Sequence, residues 1–393
     1  MSPRIPQPAR AVLEALRLDR RDPPLPDSWP EALAFADRTQ LTLSWRARLA
    51  SSPLPSAIRR RLDQNWSDNS ERLGLLRRLT TEIGARFDAA RIDYVILKGL
   101  SHSPGFLTDP RDRVQYDLDF FCPPDSVYLA REVLLAMGYE PLTAPEEFPT
   151  DHLPTLIRKT GWQWRGNYFD PDHPPSIDLH FRFWDPETEQ ISAPGVEQFW
   201  DRRVGRELAA ADRLGYAALH ALRHLLRGSL RPAHLYEIAC LLHRRRDDAA
   251  FWSGWRSQHQ PELRALQTIV FALCHEYFRG TTPEPAPAAA QAWLTRYAWS
   301  PIEGLFRPNK QELVLHLALL DGAGRKWKVL RRRLAPLRLP GSVDAVHVPS
   351  EGMSARLRLR KAYRYFTFLC GRVLHHARVL LPTLWALWRG VRS

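Results

Sequence analysis

Cysteine is scarce in this sequence, with four residues in a chain of 393, and no two of them stand close together. Without a Cys-x-x-Cys pair, the sequence indicates neither a zinc site nor a disulfide framework. The first twenty residues lack an apolar stretch of signal-peptide length. The apolar run at 379–388 is interrupted by Pro382 and is shorter than the roughly 20 residues that a spanning helix needs. We therefore expect a cytoplasmic protein.

Three common catalytic patterns are also missing. The chain has no Gly-x-Ser-x-Gly nucleophile elbow and no Walker A loop, which argues against a serine hydrolase and a P-loop enzyme. His220 and His224 share one face of a predicted helix, but residues 221–223 read Ala-Leu-Arg, so the zinc-protease pattern is absent. Histidines packed between helices are the favoured interpretation of this pair.

Acidic residues are nearly missing from the end of the chain. Residues 323–393 contain 16 Lys and Arg but only two acids, whereas residues 1–322 contain 40 basic and 41 acidic residues. The sequence pI of about 9.9 therefore reflects the tail, because the body is almost neutral. There is no strong case for nucleic acid as a partner of the body.

The apolar fraction of 44% is ample for a core and excludes disorder as the main character. Apolar periodicity predicts a helical region at 1–90 and a second one at 186–322. Between them, 91–185 has the alternating pattern of strands and predicts a small α/β core, and 323–393 forms a basic tail with an amphipathic helix. The expected fold class is α+β, with a small mixed β-sheet flanked by N-terminal and C-terminal helical regions.

Two aspartates stand out on the predicted strand 116–121. Asp117 and Asp119 are two residues apart, so on a strand they share a face, about 7 Å apart. Two carboxylates so placed repel each other unless a cation lies between them. Oxygen ligands on a rigid strand suit Mg²⁺ or Mn²⁺. The alternative is an exposed acidic face on an edge strand.

The apolar strand predicted at 93–97 ends in a turn that could bind an anion. Gly99 closes the strand, and a turn from a strand into a helix exposes backbone N–H groups. Lys98 and Ser101 add a cation and a hydroxyl. The alternative is an ordinary glycine turn beside a surface lysine.

A third aspartate, Asp178, lies on the alternating strand predicted at 176–184. Three aspartates on neighbouring strands beside an anion-binding turn are typical of two-metal phosphoryl or nucleotidyl transfer. His180 lies on the same face as Asp178, where it could orient an acceptor, support a ligand, or simply form a hydrogen bond in the cleft.

Together these segments resemble the uncharacterised nucleotidyltransferase family of the polymerase-β-like superfamily. The resemblance rests on the strand before Lys98-Gly99, on Arg-x-x-x-Asp-x-Asp at 113–119 and on Ile-Asp-Leu-His at 177–180. It extends over roughly residues 40–245. This sequence departs from the family pattern in two places. Glu237 stands where members often have Asp. At the turn, where Gly-Ser is commoner, Leu100 separates Gly99 from Ser101.

The resemblance implies a role for each motif. Asp117 and Asp119 would be the paired metal ligands, and Asp178 would be the third carboxylate. Gly99, with Lys98 and Ser101, would face the triphosphate, and Arg113 would neutralise phosphate or brace the metal-binding strand. The resemblance thus implies Asp117, Asp119 and Asp178 as catalytic and metal-binding residues, and Lys98, Gly99, Ser101 and Arg113 as nucleotide-binding residues.

The favoured function is a Mg²⁺-dependent (or Mn²⁺-dependent) transfer of a nucleoside monophosphate from a triphosphate such as ATP. The acceptor is unidentified and could be a small molecule, a sugar, a peptide or a protein. The alternative is a catalytically silent binding or docking module. For the tail, residues 356–390 predict a basic amphipathic helix, which could contact an anionic membrane surface, serve as an electrostatic dock for nucleic acid or an acidic partner, or pack on the body.

Overall fold

The computed structural model describes residues 4–103, 105–142, 151–334 and 355–391. These residues form sixteen α-helices. Their bounds are α1 Gln7–Ala15, α2 Trp29–Thr39, α3 Thr42–Arg48, α4 Ser56–Ala89, α5 Val127–Ala136, α6 Pro186–Glu189, α7 Gln198–Asp201, α8 Ala210–Arg227, α9 Pro232–Arg244, α10 Ala249–Gln258, α11 Pro261–Phe278, α12 Ala288–Tyr297, α13 Ser300–Glu303, α14 Glu312–Ala318, α15 Ala323–Leu334 and α16 Ala355–Val391.

One mixed sheet lies among the helices, with strand order β1-β2-β5-β4-β3. Strands β2 and β5 are parallel, whereas β1 pairs antiparallel with β2, β4 with β5, and β3 with β4. The predicted α+β class, a small mixed sheet flanked by helical regions, is confirmed. The strands are β1 Val95–Leu97, β2 Asp117–Phe121, β3 Glu140–Pro141, β4 Leu156–Ile157 and β5 Ser176–His180.

Alternation along β2 decides which of its residues face the core. Leu118 and Phe120 are buried, and the Phe120 ring packs edge-on against Phe87 of α4 and against Tyr94 at centroid distances of 5.6 and 5.7 Å. Successive strand residues point to opposite faces, so burying this pair directs Asp117 and Asp119 to the other face. In β5, burial of Ile177 and Leu179 likewise directs Asp178 and His180 to that face.

The long helix α4 also fixes the loop that leads into β2. The side-chain amide of Asn69 donates hydrogen bonds to the carbonyls of Arg111 and Arg113, at 2.8 and 2.9 Å. Asn69 is only 2% exposed, and these two hydrogen bonds offset the free-energy cost of removing its amide from water. The position of Arg113 therefore depends on the N-terminal helical region.

Several elements differ from their predictions. The strand predicted at 176–184 ends at His180, and neither β3 nor β4 was predicted, because two-residue strands carry no periodic signal. The turn predicted to lead into a helix is a single 3₁₀ segment, Gly99–His102. Ser103, which is extended, precedes Pro104 in the sequence, and a residue before proline disfavours the α conformation.

The tail contains two helices, α15 and α16, and residues 335–354 between them lie outside the described residues. The predicted amphipathic helix at 356–390 corresponds to α16, of 37 residues. It meets the body on one side, where Val379 and Thr383 are buried and Lys310 Nζ donates to His376 Nδ1 at 2.9 Å. Within the described part of the chain, no helix combines the length and apolarity needed to cross a bilayer.

We predict that Gly99→Ala destabilises the protein more than Gly138→Ala. Both glycines have positive φ, at 47° and 83°, so both substitutions carry backbone strain. A Cβ at Gly99 would also lie 2.1 Å from Gln115 Nε2, whereas a Cβ at Gly138 would meet nothing within 4 Å. Urea unfolding should show an additional loss of about 1 kcal/mol at Gly99. Equal losses would show that Gln115 moves aside freely.

Candidate metal and nucleotide site

The parallel pairing of β2 with β5 brings the three aspartates to one face of the sheet. In the register of this pair, Asp119 lies opposite Asp178 and Asp117 lies opposite Ser176. Ligand atoms of Asp119, Asp178 and His180 all lie within 4.8 Å of one another. Among the described residues, these three are the side chains whose potential ligand atoms lie close enough together to hold one metal ion. Asp117 is on the same face, two residues before Asp119.

Asp119 is the most enclosed of the three carboxylates, at 2% exposure. Lys98 Nζ lies 2.7 Å from its Oδ1, and His180 Nε2 lies 3.0 Å from the same oxygen. Burial by itself would raise the pKa of Asp119, but the Lys98 ammonium and the His180 contact hold it far below its usual range. Asp119 is therefore a permanent anion in this cleft.

Asp117 has no such close cation. Burial, followed by repulsion from the Asp119 and Asp178 carboxylates, raises the pKa of Asp117 to about 6, and Lys98 and Arg113 offset only part of that rise. Burial is the main cause of this raised pKa and the two neighbouring carboxylates add to it, so an ionised Asp117 is costly here without a cation. A divalent cation would relieve that cost, and the oxygen-rich donor set suits Mg²⁺ or Mn²⁺. The residues present thus fit such a cation.

Asp178 is held in place by a hydroxyl. Thr155 Oγ1 donates to Asp178 Oδ1 at 2.6 Å, from the segment just before β4. This hydrogen bond occupies one carboxylate oxygen of Asp178 and fixes the orientation of its side chain. Sequence analysis did not identify Thr155, because a single threonine before a two-residue strand gives no pattern.

Behind Asp119, His180 is part of a buried polar chain. His180 is 1% exposed, and its Nδ1 lies 3.4 Å from Asp151 Oδ2. Asp151 in turn forms an ion pair with Arg223 of α8. Contacts with Asp119 and Asp151 outweigh burial and raise the pKa of His180. His180 therefore supports Asp119 from behind the cleft, one of the roles considered for it from the sequence.

Neither Asp151 nor Arg223 was predicted as part of the site. Asp151 is 1% exposed, and its Oδ1 has no hydrogen-bond partner. Neither residue belongs to a recognisable sequence motif. Asp151 lies five positions before β4, and Arg223 lies within α8. Only the fold shows that they stabilise His180.

The turn after β1 is built around Lys98 and Gly99. Lys98 has φ +49° and Gly99 φ +47°, a conformation that costs a lysine about 1–3 kcal/mol. Ser101 donates its hydroxyl to the Lys98 carbonyl at 2.9 Å and is 2% exposed, so this hydroxyl closes the turn. Contact with a triphosphate stays a prediction for Ser101, whose hydroxyl here bonds within the turn.

Arg113 forms a buried ion pair with Glu237 of α9. Arg113 Nε lies 3.0 Å from Glu237 Oε2, and His102 Nδ1 lies 2.9 Å from the same oxygen. Burial opposes ionisation of Glu237, but Arg113 and His102 lower its pKa. One guanidinium nitrogen of Arg113, Nη1, is buried without a hydrogen-bond partner among the described residues. Sequence analysis noted Glu237 only as a departure from the family pattern.

A cavity of about 230 Å³ opens beside the turn. Its wall includes Gly99, Arg113, Gln115 and Glu237 as polar groups, and Phe106 with neighbouring leucines as apolar ones. Gln115 Nε2 donates to the Asp117 carbonyl at 2.7 Å, so the cavity wall is tied to the first residue of β2. A mixed wall of this kind is typical of small-ligand sites.

Three histidines pack together near Lys98. The rings of His220, His224 and His234 have centroid separations of 4.4, 5.1 and 5.3 Å. Burial, reinforced by nearby cations including Lys98, lowers the pKa of all three, that of His224 to about 3. They are therefore neutral at physiological pH, and they do not add to the positive charge of the cleft.

The mixed sheet presents three carboxylates beside a glycine turn, the arrangement that the sequence resemblance implies. A family model described as "Uncharacterised nucleotidyltransferase" matches residues 26–279, which is most of the chain. The chain belongs to this family, as its motifs predicted. No curated protein and no solved structure matches it.

We predict that Asp117→Asn stabilises the metal-free protein at neutral and alkaline pH. With the pKa of Asp117 raised from 3.8 to about 6, the folded state holds this proton more tightly than the unfolded state. Stability is therefore lost as pH rises through that window. Asparagine does not ionise, so the variant's advantage should be about 1 kcal/mol larger at about pH 8 than at about pH 5.

Urea unfolding with a chelator present measures this difference. Asp125→Asn is the matched control, because Asp125 is exposed just beyond β2 and should show a flat difference across the same range. An advantage of Asp117→Asn that shrinks with rising pH would contradict the electrostatic account of the site.

Proposed function

We propose that this protein is a Mg²⁺-dependent or Mn²⁺-dependent enzyme that transfers a nucleoside monophosphate from a nucleoside triphosphate to an acceptor still to be identified. The observation that carries the proposal is the convergence of Asp117, Asp119 and Asp178 on one sheet face, next to the Gly99 turn and its cavity. Family membership supports nucleotidyl transfer in general.

Asp117, Asp119 and Asp178 would hold the divalent cation. When bound, the cation neutralises phosphate charge and makes an acceptor hydroxyl easier to deprotonate. His180 and Thr155 keep Asp119 and Asp178 oriented, as supporting partners of metal ligands do. The raised pKa of Asp117 implies that cation binding releases a proton from it at slightly acidic pH.

Two basic groups would contact the triphosphate. Lys98 is now paired with Asp119, and a cation at that carboxylate would free its ammonium to bind a phosphate oxygen. Arg113 lines the cavity, where Glu237 holds its guanidinium in place for a phosphate. A Cβ at Gly99 would clash with Gln115, so the turn packs against the segment before β2 only without a side chain there.

In the proposed reaction an acceptor oxygen attacks the α-phosphorus. A bond forms between that oxygen and the α-phosphorus, the bond to the bridging oxygen of the β-phosphate breaks, and pyrophosphate leaves with the electron pair. The protein supplies positioning and charge neutralisation, which dominate catalysis of phosphoryl-type transfer.

A second candidate, a catalytically silent docking module, is favoured by one observation. Lys98 already neutralises Asp119 at 2.7 Å, and His180 contacts the same oxygen, so this carboxylate is satisfied without a metal. The excess negative charge at Asp117 favours the enzyme over this alternative.

We predict that Asp117→Asn and Asp119→Asn each lower nucleotide affinity and transfer activity by at least about a hundredfold, since each removes a carboxylate from the cation site. Calorimetric titration with MgATP, MgCTP, MgGTP and MgUTP gives the affinity and the base preference. Asp125→Asn, an exposed aspartate outside the cleft, should behave like the wild type. If the wild type binds none of the four, the docking module is the better account.

Activity requires its own assay because the acceptor is unidentified. The full chain would be incubated with α-phosphate-labelled triphosphates and cell extract, and any labelled product identified by mass. We expect one product class to gain a nucleoside monophosphate with the wild type and Asp125→Asn. A product that forms equally with Asp117→Asn would place the chemistry elsewhere.

A further inference from the structure

Helix α16 leaves most of its described large apolar side chains in solvent. Nine of them are 42–75% exposed, and by helical position they fall on one side of the helix. This exposed apolar stripe consists of Leu359, Tyr363, Phe366, Val373, Leu374, Leu380, Leu381, Leu384 and Trp385.

The stripe is not the face that packs on the body. Val379 and Thr383, each 1% exposed, lie on the other side of the helix, together with His376, whose ring accepts from Lys310. The attachment to the body thus leaves the stripe pointing outward. A monomer rarely exposes an apolar band of this length without a use for it.

The charge of α16 indicates what covers the stripe. Its 37 residues include eight Lys and Arg and not one Asp or Glu. Arg364 and Arg378 lie beside or behind the stripe by helical position. A second copy of α16 would bring basic residues against basic residues with no acid to pair them, which disfavours a helix pair.

An anionic lipid surface satisfies both features. Its headgroups neutralise the arginines, and the apolar side chains enter the boundary with the acyl chains to a depth of about 5–10 Å. With a length of about 55 Å, α16 could lie in the plane of the interface. No described helix is suited to cross the bilayer, so contact is confined to its surface.

We propose that α16 docks the protein onto an anionic bilayer surface, with the exposed apolar stripe inserted among the headgroups and the arginines paired with lipid phosphates. This inference is independent of nucleotide transfer, because it uses no residue of the cleft. It places the core beside a membrane whether or not the core is active.

Vesicle co-sedimentation of the full chain tests the proposal. One set of vesicles is phosphatidylcholine alone, and the other contains about a third phosphatidylglycerol. We expect at least about tenfold stronger binding to the anionic vesicles, weakened but not abolished at 0.15 M salt compared with low salt. Absence of a preference for anionic vesicles overturns the proposal.

A charge-matched pair of variants separates the stripe from simple attraction. Leu374→Glu with Leu381→Glu places two charges on the stripe, and Leu129→Glu with Val204→Glu places two on exposed sites of the body, 50% and 72% exposed. We expect the stripe variant to lose at least about tenfold in binding and the body variant less than about twofold. Unchanged thermal melting shows that both are folded.

Two other results would also overturn the proposal. Stripe substitutions that leave binding intact, together with full loss of binding at high salt, would assign α16 to a soluble acidic partner. The other result is a dimer detected by light scattering without vesicles. If the stripe variant dissociates this dimer and the dimer does not bind lipid, the stripe contacts a second copy of the chain.

Discussion

The cleft depends on the parallel pairing of β2 with β5, which sets Asp119 directly against Asp178. Two carboxylates at that distance repel each other, and the protein tolerates them because Lys98 and His180 hold Asp119 ionised. The remaining excess charge resides on Asp117. A fold that concentrates uncompensated negative charge in one place gives up stability for the capacity to bind a cation, which is a usual exchange at functional sites.

Supports for this arrangement come from the helical regions on both sides of the sheet in sequence. Asn69 in the N-terminal helical region holds the loop before β2. Arg223, in the helices after the sheet, pairs with Asp151, which stands behind His180. Each contact joins a helix to a segment that borders the sheet, so the helices help to fix the geometry of the site.

Sequence reasoning was most successful where a residue's role follows from local alternation. The faces of β2 and β5, the α+β class and the family itself were predicted, because period-two and period-3.6 patterns are local and strong. The partners of those residues were not predicted. Thr155 and Asp151 are single polar residues without a pattern, and only the tertiary fold brings them to Asp178 and His180. The inward hydroxyl of Ser101 depends on the 3₁₀ turn, which replaced the expected helix before Pro104.

The ion pair between Arg113 and Glu237 joins the segment before β2 to α9, 124 positions further along the chain. Both side chains are largely shielded from water, so the loss of either one would leave the other as an uncompensated charge. An excised sheet region would retain the guanidinium and lose the carboxylate that neutralises it. The sheet region of this protein therefore cannot be separated from α9 without replacing that distant counter-ion.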